Sequence, residues 1–288
     1  MFKTKKSLIT TAALAIMITL SGCSKGAWND LERNPPNRGL LHEIRTSGMK
    51  DASSNGYTVQ VKATDGDISI DQNETLVLEV KDSKGQVVKQ FTEDMTKLFH
   101  FIIVSRDLSK FAHIHPELKD DGTFEVEHQF PFGGDFLLIS EFIPAGKELT
   151  VHKQWLSVPE PTSRKSEPVV PDSSLTKTID GIEVTLTMMP SLEELKSKQM
   201  VMLNFQLVDT ATGEPIPDVE PYLGTRGHAV ILDDTAERYI HVHAMDGMGS
   251  GSNVMFHTEF PVADVYKIWG QFQVDGKVIA APFILKVQ

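Results

Sequence analysis

The chain has 288 residues, 40% hydrophobic and 23% charged, with 39 acidic against 28 basic side chains and a formal net charge of −11. That is enough apolar material for one large or two modest folded units. An acidic chain with no basic cluster argues against nucleic-acid binding. The single cysteine, Cys23, excludes an intramolecular disulfide, a cysteine nucleophile and a thiolate-ligated blue-copper centre.

In chain order, residues 1–22 come first. Lys3, Lys5 and Lys6 precede an apolar run over 8–20, too short for a bilayer core of ~30 Å, which takes about 20 residues. The pattern is that of an export signal. It ends in Leu20-Ser21-Gly22-Cys23, which resembles the lipobox of bacterial lipoproteins. That resemblance implies cleavage before Cys23, its diacylation, and a lipid-anchored protein on the extracytoplasmic face of the cell membrane, or on the periplasmic face of an outer membrane in a two-membrane cell. Loss of the three lysines would take the net charge to −14. Residues 23–55 are polar, carry Pro35-Pro36 and read as a flexible tether.

From 56 to 158 the pattern is that of an antiparallel β-sandwich, with strands expected near 57–61, 75–80, 99–104, 111–115, 123–130, 136–142 and 154–158. Residues 159–175 hold Pro159, Pro161, Pro168 and Pro171 and read as a linker. From 176 to 288 the sandwich pattern returns. Gly181-Ile182-Glu183-Val184 answers Gly56-Tyr57-Thr58-Val59, Tyr239-Ile240-His241-Val242-His243 answers Phe111-Ala112-His113-Ile114-His115, and Phe260-Pro261 answers Phe130-Pro131. The expected fold is all-β, two tandem antiparallel β-sandwiches produced by duplication.

Six of the ten histidines occupy matched positions: His100, His113 and His115, then His228, His241 and His243. Residues i and i+2 of a strand share a face, so each His-x-His presents two imidazoles to one metal ion. His100 and His228 lie 13 residues before each pair. They are either third ligands or core residues, since His100 shares its parity with Ile102 and Val104. Neutral imidazole suits copper, zinc, nickel and iron. In the second copy Met245, Met248 and His257 follow, around a Gly-rich stretch. Thioethers favour Cu(I), whereas the matching stretch of the first copy, 116–122, is oxygen-rich. His257 aligns with Glu127 and His128 with Thr258, on opposite strand faces, so only one of the two histidines can face its site. Met188, Met189, Met200 and Met202 read as core, and His42 and His152 as surface residues.

Phe99-His100-Phe101-Ile102-Ile103-Val104, Phe111-Ala112-His113-Ile114-His115-Pro116-Glu117 and Gly227-His228 through His241-Val242-His243 resemble the YtkA-like/FixH-like extracytoplasmic domains. Ala244 stands where that pattern has proline. The resemblance implies an immunoglobulin-like or cupredoxin-like sandwich and a role in copper handling at the envelope, as a metal-binding accessory protein rather than an enzyme. The expected function is to buffer or pass Cu(I) or Cu(II), with zinc as the other candidate, and the expected partners are the membrane through Cys23 and a metal-transport or envelope protein. The alternative is a non-metal interaction module. A His-x-His sandwich with a Gly-rich loop is also similar to copper–zinc superoxide dismutase, but that family needs a loop disulfide and a zinc loop that this chain lacks.

Overall fold

The computed structural model describes residues 54–64, 66, 68–159, 168–245, 247 and 249–288. The signal, Cys23, nearly all of the tether, the first half of the linker and Met248 lie outside the described residues. Nine strands make the first repeat: β1 (Thr58–Ala63), β2 (Asn73–Lys81), β3 (Phe91–Thr92), β4 (Phe99–Ser105), β5 (Phe111–Ile114), β6 (Glu117–Leu118), β7 (Phe124–Gln129), β8 (Gly134–Pro144) and β9 (Thr150–Val158). Eight make the second: β10 (Thr176–Ile179), β11 (Ile182–Met189), β12 (Met200–Asp209), β13 (His228–Asp233), β14 (Tyr239–His243), β15 (Asn253–Glu259), β16 (Val265–Val274) and β17 (Lys277–Lys286).

The pairing follows one plan twice. Strands β1-β2-β7-β6 form one sheet of the first repeat, and β3-β8-β4-β5 with β9 on β8 form the other. In the second repeat the sheets are β10-β11-β12-β15 and β14-β13-β16-β17. Every pairing between these strands is antiparallel. The chain is therefore all-β, two tandem antiparallel sandwiches. Even the turns match: Asp82 Oδ1 accepts from the Lys84 and Gln86 amides, and Asp209 Oδ1 from those of Ala211 and Thr212. Each turn closes on a left-handed glycine, Gly85 (φ 78°) and Gly213 (φ 75°), a conformation that costs glycine nothing.

Alternation assigns the inward faces. Leu76, Leu78 and Val80 of β2 enter the first core with Phe99, Phe101, Phe124 and Phe142. Val201, Leu203, Phe205 and Leu207 of β12 enter the second with Phe256, Phe272 and Phe283. This corrects the reading of the methionines: Met188 packs against the second core, but Met200 and Met202 share the opposite parity, and Met200 is 41% and Met189 69% exposed. His152 is half-buried rather than a free surface residue, with Nδ1 unpaired.

Strands β4 and β13 are buried at every position, which explains their unbroken apolar runs. Phe99, Phe101 and Ile103 fill the first sandwich, while Ile102 and Val104 turn the other way. They form a third core with Leu137, Ile139, Val230, Leu232, Tyr239 and Trp269, residues from both repeats. Phe111 stacks on Trp269 with ring centroids 4.8 Å apart and planes at 11°. The two sandwiches are thus joined sheet to sheet. Residues expected as linker take part: Val169 packs on this third core, and Asp172 exchanges hydrogen bonds with Ile284.

Candidate metal centre

Register brings the histidines together. On β4 and β5, Phe101 pairs with Ile114 and Ile102 with His113, so His115 continues the ladder opposite His100. On β13 and β14, His228 pairs directly with His243. His100, His113 and His115 form one triad, and His228, His241 and His243 another, each with its three candidate donor nitrogens within 4.8 Å of one another. His100 and His228 are therefore both core residues and members of the triads. The face they share with Ile102 and Val230 is the interface between the repeats.

The outer ring nitrogens are anchored. His100 Nε2 lies 3.0 Å from the Asp94 carbonyl, and His228 Nε2 3.1 Å from that of Tyr222. A carbonyl only accepts, so both rings carry the proton on Nε2 and a lone pair on Nδ1. His241 Nδ1 lies 3.2 Å from Glu141 Oε2, to which it donates, leaving a lone pair on Nε2. His228 Nδ1 and His241 Nε2 then face each other at 3.3 Å. His100 Nδ1 and His113 Nε2 stand at 3.0 Å. Two lone pairs at that distance repel unless a proton or a metal cation lies between them. Imidazoles on a tetrahedral ion with bonds of about 2.0–2.1 Å place their nitrogens about 3.3 Å apart. The donor set fits a metal. His115 Nε2, the third donor of the first triad, is buried with no hydrogen-bond partner.

The electrostatics keep four of these rings, His100, His113, His115 and His228, neutral. Burial, then the neighbouring imidazoles, lowers His100 to about 4 and His113 and His228 well below the usual 6.5. Burial and the charge of His100 bring His115 to about 3. Neutral imidazole is the ligating form, so protons do not compete near neutral pH. Burial alone would raise the Glu141 carboxyl. The electrostatic attraction and hydrogen bond of the His241 N–H, with the Tyr239 hydroxyl, outweigh it and hold Glu141 at about 2.

The triads are not remote from each other. His113 and His241 have ring centroids 5.3 Å apart, His100 and His241 5.7 Å, and His113 and His228 6.2 Å. The expected pair of separate sites is one six-histidine cluster in the interface. Its outer contacts cross between repeats. Glu141 of the first repeat holds His241 and the Tyr239 hydroxyl, the latter at 2.7 Å. Gln271 of the second holds His113, with Oε1 3.2 Å from Nδ1. Sequence reasoning missed both, although a signal existed: each directly precedes a matched phenylalanine, Phe142 or Phe272.

The other candidates fall elsewhere. Met245 follows His243 out of β14 and its amide donates to the Met255 carbonyl, 3.0 Å away. Met248 lies outside the described residues. His257 belongs to neither triad; it sits on β15, in the opposite sheet, paired with Met202. His128 lies against Phe130 edge-on, at 4.6 Å, and is likewise outside the triads. Access differs between the two sites. The second triad is wholly buried, whereas His113 and His115 are half-buried. His115 also borders a groove of about 400 Å³ lined by Thr75, Glu117, Lys119, Glu125 and Glu127.

Among the described residues no helix is long and apolar enough to cross a membrane. No curated protein matches the sequence. Solved structures similar to the chain include a Corynebacterium diphtheriae protein described as membrane anchored (11% identity, TM-score 0.24, covering 81% of this chain and 57% of that one). The adhesin InvE of Yersinia pseudotuberculosis is another (9% identity, TM-score 0.23, 81% and 61%), and a tetra-tandem repeat from the extending region of a large adhesion protein a third (10% identity, TM-score 0.25, 83% and 68%). The chain thus spans about three fifths of the first two. The model of one family matches residues 52–158 and again 177–288, so the chain belongs to the family described as Domain of unknown function (DUF8832).

Proposed function

We propose that this is a lipid-anchored extracytoplasmic protein that binds copper at the paired triads and buffers or passes it, without catalysing a reaction. The observation that carries the reading is the 3.3 Å approach of His228 Nδ1 and His241 Nε2, whose outer nitrogens already donate to Tyr222 and Glu141. Nitrogen ligands alone suit zinc as well as copper. Copper is favoured by the resemblance to YtkA-like/FixH-like domains. The lipobox-like Leu20-Ser21-Gly22-Cys23 places the anchor at Cys23, and a metal-transport or envelope protein would be the recipient.

The test is titration of the mature chain with Cu(I), Cu(II) and Zn(II), beside a variant with His113, His115, His241 and His243 changed to alanine. The expected result is that the variant takes up two fewer ions per chain than the parent. A ligand at 100 times its Kd adds about 2.7 kcal/mol of apparent stability, so loading also raises Tm. A second reading is favoured by the buried Glu141–His241–Tyr239 network, which ties the repeats together with no metal. On that reading the protein is an interaction module with packing histidines, and it takes up no ion.

A further inference from the structure

The residues beside His115 correspond, by sequence and strand register, to residues of different chemistry in the second repeat. In the first repeat the chain leaves β5 and crosses to the other sheet, where Glu117 pairs with Glu125 and Thr75 pairs with Glu127. In the second the chain leaves β14 the same way, where the Met245 amide bonds the Met255 carbonyl and Met202 pairs with His257. Position by position, Glu117, Glu125, Glu127 and Thr75 are replaced by Met245, Met255, His257 and Met202. Hard oxygens have become thioethers and an imidazole.

These side chains share one face. Met189, Met202 and His257 stand in a row across β11, β12 and β15, and directly opposed residues hold their Cβ atoms about 4.5–5.5 Å apart. Met255 precedes His257 by two residues on the same face. This is the outer side of the sheet, since Val201, Leu203 and Phe256 fill the core; a core-packing role does not account for methionine there. His257 Nδ1 is buried and has no hydrogen-bond partner. Gly249 lies close against Met255: a Cβ on it (φ 79°) would meet the Asn253 carbonyl oxygen at 2.5 Å and Met255 Cγ at 3.4 Å.

We propose that Met202, Met255 and His257 form a separate binding site for a soft monovalent cation of the Cu(I) and Ag(I) class, on the outer face of the second repeat. Thioether sulfur and neutral imidazole are the donors such an ion selects over carboxylate oxygen. Met245 links this site to the end of β14, two residues beyond His243. The matching groove of the first repeat, walled by carboxylates, has no such preference. The site stands whether or not the triads hold metal.

The probe is Ag(I), which is soft and redox-inert, titrated into the mature full-length chain carrying ¹³C-methyl methionine. Single Met→Leu variants assign the methyl signals. The signals of Met202 and Met255 should shift saturably with Ag(I) and stay unmoved by Zn(II). The triple variant Met202→Leu, Met255→Leu, His257→Gln should lose one Ag(I) equivalent per chain and keep whatever Zn(II) uptake the parent has. Leucine conserves volume, and an unchanged circular dichroism spectrum would establish that the variant folds. Unmoved Met202 and Met255 methyls at saturating Ag(I), or equal shifts with Zn(II), would overturn the proposal. Zn(II) titration reports on the triads separately, so failure of one site does not mask the other.

Discussion

The two triads descend from one unit and differ in what surrounds them. Duplication kept the three imidazoles and the carbonyl clamp, Asp94 in one repeat and Tyr222 in the other. It changed the residue that holds the middle histidine from across the interface, a carboxylate for His241 and an amide for His113. It placed Tyr239 beside Glu141 where the first repeat has Phe111 against Trp269. The lesson is that the imidazoles are set locally on each strand, whereas the group that orients the middle one is set by the opposite repeat. A carboxylate on a ligating imidazole raises its basicity and fixes its orientation, so on the proposed reading the second triad would hold a cation more tightly and the half-buried first triad would exchange it.

The strongest way to break this comparison is to delete its two crossing contacts in turn. Glu141→Ala strands the His241 and Tyr239 donors in a buried interface, and should cost about 1–3 kcal/mol for each of the two in a urea melt. Gln271→Ala removes a neutral hydrogen bond and should cost on the order of 1 kcal/mol. Equal losses would mean that the two contacts are energetically alike.

Acid should act next in magnitude. His100 titrates near 6.5 when unfolded and near 4 when folded, so between those values the unfolded chain binds the extra proton. Stability is complete above about pH 6.5 and falls as pH drops toward 4, by about 3 kcal/mol for this residue. His115, lowered to about 3 but half-buried, adds less. Denaturant melts at pH 7, 5.5 and 4 without metal check this, and a stability independent of pH across that range would contradict it.

Swapping the distinguishing residue sharpens the comparison. Glu141→Gln should weaken metal affinity at the second triad about 10–100-fold and leave the first unchanged, while Gln271→Glu should tighten the first. Competition titrations with a chromophoric chelator read both. Smallest is Ala244→Pro, which copies Pro116 of the first repeat. It removes the amide bond to the Gly227 carbonyl, now 2.9 Å, and should cost about 1 kcal/mol with some loosening of His243.

Much of this was legible beforehand. Strand periods, the repeat and both sets of three histidines are local or self-similar features, readable without knowing what packs on what. The inward face of β12 was legible too but misread: Asn204 and Gln206 share the parity of Met200 and Met202, and two amides mark the outer side. The role of Glu141 was not legible, because its partner lies 100 residues away in the other repeat. For His100 the parity with Ile102 identified a buried face without saying which core receives it.

By itself, then, the sequence determined two sandwiches, a matched set of imidazoles in each, and the parity that puts them on one face, because strand geometry fixes side-chain direction residue by residue. Only the tertiary structure decided that these faces meet, that six rings form one cluster, and that each repeat supplies the hydrogen bond that orients the other's histidine. Those outcomes depend on the packing of two sheets, whose contacts join residues more than 90 positions apart and leave no periodic trace in the chain.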